Sequence, residues 1–171
     1  MTDPEFREAY GQNKDVLYRF ACRMTGSPET AEDLVHECFL AWLGKPAAFD
    51  QSRGALRSFL IGIIRNLALK QLRGSRAFDE LTEETATSRP IDPVGRERAA
   101  CVAEAIAALP PLQREALILA EYEELPLAEI AGITGAELAA VKSRLHRART
   151  SLKVMLAPLA NTKGTTYGTH G

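Results

Sequence analysis

The densest run of cationic side chains in the sequence is VKSRLHRART, residues 141–150, which holds four Lys and Arg residues and no acid. Guanidinium and ammonium groups bind phosphate oxygens, and an Arg can also donate two hydrogen bonds to a guanine edge. Apolar residues recur every three or four positions through this segment, which predicts one helix with a buried stripe. The stripe consists of Leu138, Val141, Leu145, Ala148, Leu152 and Met155. The polar side chains on the opposite side of that helix could therefore meet a polyanion.

Positive charge is sorted into two windows that hold no acid. The windows 51–78 and 138–171 carry six basic residues each, in a chain with 21 basic residues and a net charge of −1. The other nine basic residues are mixed with all 22 acidic ones. Solvated helix faces usually mix both signs, so two basic surfaces on an acidic background favour nucleic-acid binding.

The residues before the basic segment predict how it is presented. LPLAEIAGITGAE indicates a short helix from Pro126 to Ala131, a turn at Gly132, and Gly135 ahead of the basic helix. This order is typical of a helix-turn-helix, whose second helix enters the major groove of DNA. The residues expected to reach base edges are Ser143, His146 and Arg147, with Lys142 joining from the side. The cations better placed for phosphates are Arg144, Arg149 and Lys153. An ordinary αα-hairpin with a basic surface is the alternative.

The chain divides into two helical parts. Residues 74–93 are polar and acidic, end in two prolines, and predict a linker. Helical periodicity occurs near 5–25, 29–43, 54–73, 95–108, 111–122, 126–131 and 136–157. No stretch alternates polar and apolar residues over the length of a strand, so we expect an all-α fold of two small domains. The expected boundaries are a first domain at 1–76, a linker at 77–96, a second domain at 97–157 and a disordered tail at 158–171.

The first half has two surfaces of its own. In PETAEDLVHECFLAWL, the predicted core stripe is Ala31, Leu34, Val35, Cys38 and Trp42, and the opposite face is Asp33, His36, Glu37 and Leu40. A leucine among acids favours a protein contact, with simple solvation as the alternative. In RGALRSFLIGIIRNLALKQLR, one face gathers Phe59, Gly62, Asn66, Lys70 and Arg73. That mixture suits unpaired DNA, because a ring stacks on bases and cations hold phosphates. Phe59 as a plain core residue is the alternative.

Other classes of protein and site are disfavoured. Cys22, Cys38 and Cys101 are odd in number and form no CxxC pair, which indicates reduced, buried thiols in a cytosol. His36 and Cys38 lie two positions apart and do not make a zinc site, so no metal or other cofactor is expected. No run of about 18 apolar residues occurs, so no membrane insertion is expected. Without a Gly-rich phosphate loop, HExxH or GxSxG, no enzymatic activity is expected.

Four segments, in order, give the sequence a specific resemblance. They are AEDLVHECFLAW, LRSFLIGIIRNLALKQLR, ALPPLQREALILAEYEELPLAEIA and VKSRLHRAR. Together they resemble a bacterial sigma factor of the sigma-70 family, extracytoplasmic-function group, over residues 10–76 and 97–156. The resemblance implies binding to core RNA polymerase, at its β′ clamp and β flap, recognition of promoter DNA, and silencing by an anti-sigma factor. A stand-alone helix-turn-helix regulator that dimerises, and a helical enzyme or cofactor binder, are the alternatives.

The resemblance also implies roles by position. The face formed by Asp33, His36, Glu37 and Leu40 resembles the docking helix for the β′ clamp, where the family commonly has glutamine in place of His36. Residues 51–73 resemble the part that reads and melts the −10 element, with candidates Arg57, Phe59, Arg65, Asn66, Lys70 and Arg73. Tryptophan is frequent in the family at the position of Phe59. The final helix resembles the −35 reader, and Glu124 stands where glycine is usual in the preceding turn. Strand separation would then be driven by binding energy, with no nucleotide hydrolysed.

Overall fold

The first domain is a bundle of three helices. The structure, a computed structural model, describes residues 1–74 and 89–162, with side chains described as far as residue 160. The helices of the first domain are α1 (Asp3–Thr25), α2 (Pro28–Gly44) and α3 (Leu56–Arg73), with single 3₁₀ turns at Pro46–Ala48 and Gln51–Arg53. Throughout the described ranges the regular secondary structure is helical, which confirms the predicted all-α class.

Local sequence signals fix the ends of α1 and α2. Thr2 caps α1 with a reciprocal pair of bonds, in which its hydroxyl accepts from the Glu5 amide and its own amide donates to the Glu5 carboxylate at 2.7 Å. Gly26 ends α1 in the left-handed region, at φ 71°. Ser27 then caps α2 by accepting from the amide of Thr30. Because α1 ends at Gly26 and Ser27 already caps α2, the chain reverses between two adjacent residues and α2 folds back onto α1.

The second domain holds the remaining helices of the described chain. They are α4 (Arg98–Ala108), α5 (Pro111–Leu117), α6 (Leu127–Thr134), α7 (Leu138–Met155) and α8 (Ala157–Thr162), and a π-helical turn at Ile118–Tyr122 extends α5. Pro111 occupies the first turn of α5, where a missing amide hydrogen costs nothing. Helix α5 packs along α7, and α6 packs across both α7 and the π turn. This places α6 and α7 in a helix-turn-helix.

The turn of the helix-turn-helix lies later in the chain than the sequence predicted. Helix α6 runs through Gly132 to Thr134, and the turn falls at Gly135, which has φ 68° and donates its amide hydrogen to the carbonyl of Ala131. The prediction of a turn at Gly132 was therefore wrong. Glycine inside a helix costs about 1 kcal/mol relative to alanine, and here Ile130 and Ile133 pack against the core on either side of it, which offsets that cost.

Two predicted flexible segments are partly packed. The amide of Ile91 donates to the carbonyl of Met155 at 2.9 Å, and the Ile91 side chain is buried. The described part of the expected linker, residues 89–96, is therefore anchored at Ile91 to the end of α7. Residues 158–162 of the expected disordered tail belong to α8 instead, because Leu159 is buried in the core. The linker residues 77–88 and the tail residues 163–171 lie outside the described residues.

The two domains pack directly on each other. Helix α1 contacts α4, α5 and the π turn, and α3 contacts α5 and α6. The buried side chains of both domains form one continuous core. Its fully buried members include Leu17, Phe20, Ile64, Leu109, Ile118 and Ile130. Cys38 and Cys101 are buried within it, while Cys22 is half-buried.

Candidate nucleic-acid and partner interfaces

Helix α7 buries one stripe, largely as its periodicity predicted. Val141, Leu145, Ala148 and Met155 are buried and Leu152 is half-buried. Leu138 departs from the prediction, with 41% of its surface exposed. It stands in the first turn of α7, beside exposed residues at Gly135 and Glu137, where the helix has not yet reached the core.

The opposite side of α7 presents the predicted DNA-contacting residues to solvent. Exposed along it are Lys142, Ser143, His146, Arg147, Arg149 and Lys153, whereas Arg144 is half-buried. Because α7 has no Asp or Glu over its whole length, the helix itself contributes only positive charge to this face. An exposed cationic helix that follows a tight turn has the shape and charge to enter a major groove.

One of these cations already has an anionic partner. The Nε of Arg149 donates to Oε1 of Glu121 at 2.7 Å, and the Nη2 atom of the same side chain bonds to the same oxygen. Both side chains are well exposed, so the pair is weak and a phosphate could replace the carboxylate. Sequence reasoning missed Glu121 because it lies 28 positions away from Arg149.

The predicted −10 face of α3 is exposed along only part of its length. Asn66, Lys70 and Arg73 are exposed, and Gly62 is half-buried. Phe59 is half-buried against the core, with its ring centroid 5.4 Å from that of Phe49 and the two planes inclined by 51°. Both rings line an open cleft of about 750 Å³ whose other wall includes Glu129 and Gly132 of α6. The Phe59 side chain therefore packs partly against the core and partly lines the edge of the cleft.

Two further −10 candidates point into the domain interface. Arg65 makes two hydrogen bonds to Glu115, from Nε to Oε2 at 2.7 Å and from Nη2 to Oε1 at 2.9 Å. The Nη2 of Arg57 donates to Oε2 of Glu123 at 2.8 Å. These acids lie 50 and 66 positions further along the chain, so no local pattern could reveal them.

The predicted partner-binding face of α2 is formed as expected from its spacing. Asp33, His36, Glu37 and Leu40 are exposed, opposite the buried residues Ala31, Leu34, Val35, Cys38 and Trp42. Leu40 is 66% exposed, and Leu43, one turn further on, is also exposed. Sequence reasoning missed Leu43, although its spacing of three from Leu40 signals the same face. Two exposed leucines beside two acids suit a protein contact better than solvent alone.

A buried polar contact joins α2 to α3 behind these surfaces. The Cys38 thiol donates to the carbonyl oxygen of Leu60 at 3.4 Å. Burial raises the pKa of Cys38 to about 12, so this thiol stays protonated and packs as a small apolar group.

Among the described residues there is no cluster of three or more His, Cys, Asp or Glu side chains that could hold a metal. Likewise, the helices described are too short or too polar to cross a bilayer.

Comparison with protein families matches two segments, which together hold 124 of the 171 residues. Sigma-70 region 2 matches residues 9–78, and Sigma-70, region 4 matches residues 99–152. The first match covers most of α1 and all of α2 and α3, and the second covers most of the domain that contains the helix-turn-helix.

Curated relatives match most of the length of this chain. The chain is 31% identical over 163 residues to the ECF RNA polymerase sigma factor SigL of Mycobacterium tuberculosis H37Rv, covering 92% of each chain. It is 31% identical over 162 residues to SigE of Mycolicibacterium smegmatis, where the match covers 90% of this chain and spans 62% of SigE. It is 29% identical over 161 residues to SigW of Bacillus subtilis, covering 85% of this chain and 86% of that protein.

Solved structures show the same fold. The sigma factor RpoE from Bartonella quintana, solved in complex with the anti-sigma factor NepR, aligns with TM-score 0.71 and 27% identity over 90% of this chain and 97% of that one. CnrH, solved in complex with the cytosolic domain of CnrY, aligns with TM-score 0.69 and 25% identity over 92% of this chain and 90% of that one.

Proposed function

Because the chain belongs to the extracytoplasmic-function group of the sigma-70 family, we propose that it binds core RNA polymerase and directs transcription initiation at promoters with matching −35 and −10 elements. The observation that supports this most is the union of region 2 and region 4 in one chain, each with its own exposed basic helix face. A stand-alone regulator that dimerises on a palindrome needs a dimer or sensor domain, and the first domain here matches region 2 instead.

In this function, α7 enters the major groove of the −35 element. Its outward residues Lys142, Ser143, His146 and Arg147 read base edges, and Arg147 is suited to a bidentate contact with guanine. Arg144, Arg149 and Lys153 bind phosphates, which contribute affinity without sequence information. Arg149 exchanges the carboxylate of Glu121 for a phosphate when DNA binds.

The first domain handles the −10 element. Lys70 and Arg73 bind the backbone of a separated strand, Asn66 hydrogen-bonds a base, and the Phe59 ring at the cleft edge stacks on one. Arg57 and Arg65 supply two further phosphate contacts. The energy for strand separation comes from these contacts, so the protein is an initiation factor without a catalytic step of its own.

Two protein partners complete the function. Asp33, His36, Glu37 and Leu40 on α2 dock on the β′ clamp of core polymerase, and the second domain meets the β flap. An anti-sigma factor is a further partner, by analogy with RpoE of Bartonella quintana, which was solved bound to NepR. The protein acts in the cytoplasm, where polymerase and promoter are found.

Run-off transcription tests the proposal. Core RNA polymerase with and without the chain is offered a pool of promoter fragments, and the transcripts are sequenced. We expect one family of start sites that share −35 and −10 sequences and that depend on the chain. In a parallel gel shift, the chain alone should not retain those fragments. Tight binding without polymerase, or transcripts that do not depend on the chain, would contradict the proposal.

A further inference from the structure

The first turn of α7 carries an exposed alanine on the same face as the proposed base-reading residues. Helix α7 begins at Leu138, directly after its N-cap residue Glu137. Ala139 is exposed, and it precedes Ser143 by four positions and His146 by seven. Residues at this spacing lie above one another on one side of a helix. Ala139 therefore extends the base-reading face by one turn toward the start of α7.

The start of α7 is the part of the helix that is best placed to meet base edges. In a helix-turn-helix, the N-terminal residues of the second helix contact the bases in the major groove. Gly135, at φ 68°, ends α6 and turns the chain just ahead of α7. At the rise of an α-helix, Ala139 lies about 6 Å nearer the start of α7 than Ser143. Its side chain is therefore in position to meet a base edge of its own.

The chemistry of alanine selects one target on a base edge. The side chains of Lys142, Ser143, His146 and Arg147 read hydrogen-bonding groups, whereas the methyl group of Ala139 neither donates nor accepts. The apolar group that base pairs present in the major groove is the C5-methyl of thymine, and alanine is one of the residues that contact it. Ala139 therefore complements the polar residues of the face.

The other exposed apolar residue of this turn points elsewhere. Leu138 is 41% exposed, but it precedes Val141 by three positions and Leu145 by seven, and both of these are buried. Leu138 thus continues the buried stripe beyond the edge of the core. Ala139 lines up with Ser143 instead, so it is the better candidate for a thymine contact.

We propose that Ala139 is a specificity-determining residue, whose methyl group packs against the C5-methyl of one thymine in the −35 element. This inference rests on the proposed function, which places α7 in the major groove of that element. It assigns the preference for one A·T pair to an apolar contact. Removal of the thymine methyl should weaken binding about fourfold, the ratio that corresponds to burying one methyl-sized group.

The test removes the methyl group from either side of the contact. Holoenzyme is reconstituted from core RNA polymerase and the full chain, and it is bound to a promoter fragment identified by run-off transcription. Each thymine of the −35 element, on either strand, is replaced in turn by deoxyuridine, which lacks only the C5-methyl. We expect wild-type holoenzyme to bind about fourfold more weakly at one position. Holoenzyme with Ala139→Gly should bind the thymine and deoxyuridine fragments equally at that position.

A matched control separates the contact from the effect of glycine on the helix. Ala140→Gly makes the same substitution one residue further along, at a half-buried position beside the base-reading face. Both glycines lower the helix propensity of the same turn, and we expect Ala140→Gly to keep the fourfold preference. Because the Ala139 side chain is exposed, its removal leaves no cavity. The ratio of two affinities measured on one protein also cancels any difference in stability or assembly.

Three results would overturn the inference. They are no loss of wild-type affinity at any deoxyuridine position, an undiminished preference for thymine in Ala139→Gly, and equal loss of that preference in Ala140→Gly. Failure of the proposed function has a different signature, because the chain would then fail to direct core polymerase to any promoter fragment. The run-off experiment detects that failure before deoxyuridine is introduced.

Discussion

Arg114 crosses the domain boundary and donates a hydrogen bond to the carbonyl oxygen of Met24, near the end of α1. Its Nη2 atom donates to the carbonyls of Ala107 at 2.7 Å and Leu109 at 2.9 Å, at the end of α4. One buried cation thus serves the negative ends of two helices from different domains. Burial lowers the pKa of Arg114 to about 10, which still leaves the group charged at neutral pH.

Removing this cation should destabilise the whole chain. Arg114→Met leaves three carbonyl groups without their donor, and we expect the free energy of unfolding to fall by about 3 kcal/mol. Urea denaturation followed by circular dichroism measures it. Arg96→Met is the matched control, because Arg96 forms an exposed ion pair with Glu104 and should cost less than about 1 kcal/mol. Equal losses in the two variants would show that Arg114 does not join the helix ends.

Glu124 occupies a backbone conformation that suits glycine. It is the one non-glycine residue with positive φ in the described chain, at 53°. A side chain in this region costs about 1 kcal/mol, so Glu124→Gly should raise the free energy of unfolding by about 0.5–1 kcal/mol. Ala103→Gly, at an exposed site in the middle of α4, should lower it by about 1 kcal/mol. Thermal or urea unfolding of both variants measures whether the free energy of unfolding changes in opposite directions. If Glu124→Gly lowered it, the backbone at Glu124 would not be strained.

Local sequence patterns predicted the helices, but they failed where contacts between residues distant in the sequence determine the structure. The three-and-four spacing of Val141, Leu145 and Ala148 was sufficient to orient α7, because helix periodicity is a local property. Gly132 and Gly135 offer equivalent turn signals in the sequence. The packing of Ile133 against the core, a tertiary contact, favours the continuation of α6 past Gly132. Leu159 is the one large aliphatic residue in a tail of mostly polar and turn-forming residues, so its burial was not readable from the sequence.

The predictions made from the sequence missed the ion pairs between the two domains. Arg65 lies in a window without acids, and its partner Glu115 lies 50 positions away in another helix. Charge sorting along the chain predicted two separate basic surfaces. Folding instead brings acids of the second domain onto both of them, at Arg65 and Arg57 of α3 and at Arg149 of α7. These pairs are a property of the tertiary arrangement alone.

The linker offers a test of domain packing. The acidic, proline-ended composition of residues 74–93 predicts that limited proteolysis cuts there first. We expect the two fragments to co-elute on size exclusion, because the Arg65–Glu115 pair and the Arg114–Met24 bond cross between them. The same cleavage in Glu115→Gln/Arg114→Met protein should yield fragments that separate. Immediate separation of the wild-type fragments would contradict tight packing.

The α2 face can be tested by charge reversal. Asp33→Lys with Glu37→Lys changes two exposed residues one turn apart and should abolish binding to core polymerase by removing the complementary charge. The fold should survive, since surface substitutions rarely cost more than about 0.5 kcal/mol. Glu97→Lys with Glu104→Lys, exposed near and on α4, is the control and should bind normally. Holoenzyme assembly is followed by native gel, and normal assembly of the α2 variant would exclude this face as the dock.

On α7, base contacts and phosphate contacts can be told apart by substitution. Arg147 and Lys153 are both exposed on α7, opposite or beside the buried stripe. Arg147→Ala should cost about 1–3 kcal/mol on the preferred −35 sequence and blur the preference at one base pair. Lys153 lies further along the helix, where the groove curves away, so Lys153→Ala should weaken all promoters alike and reduce the salt slope by about one unit.

The measurement is promoter binding by reconstituted holoenzyme, over a set of −35 variants and several salt concentrations. The two substitutions control for each other, because each removes one positive charge from the same helix. A base contact appears as a loss that depends on sequence, and a phosphate contact appears as a loss that depends on salt but not on sequence. Equal losses on every −35 variant from both substitutions would assign Arg147 to phosphate and leave base reading to Lys142, Ser143 and His146.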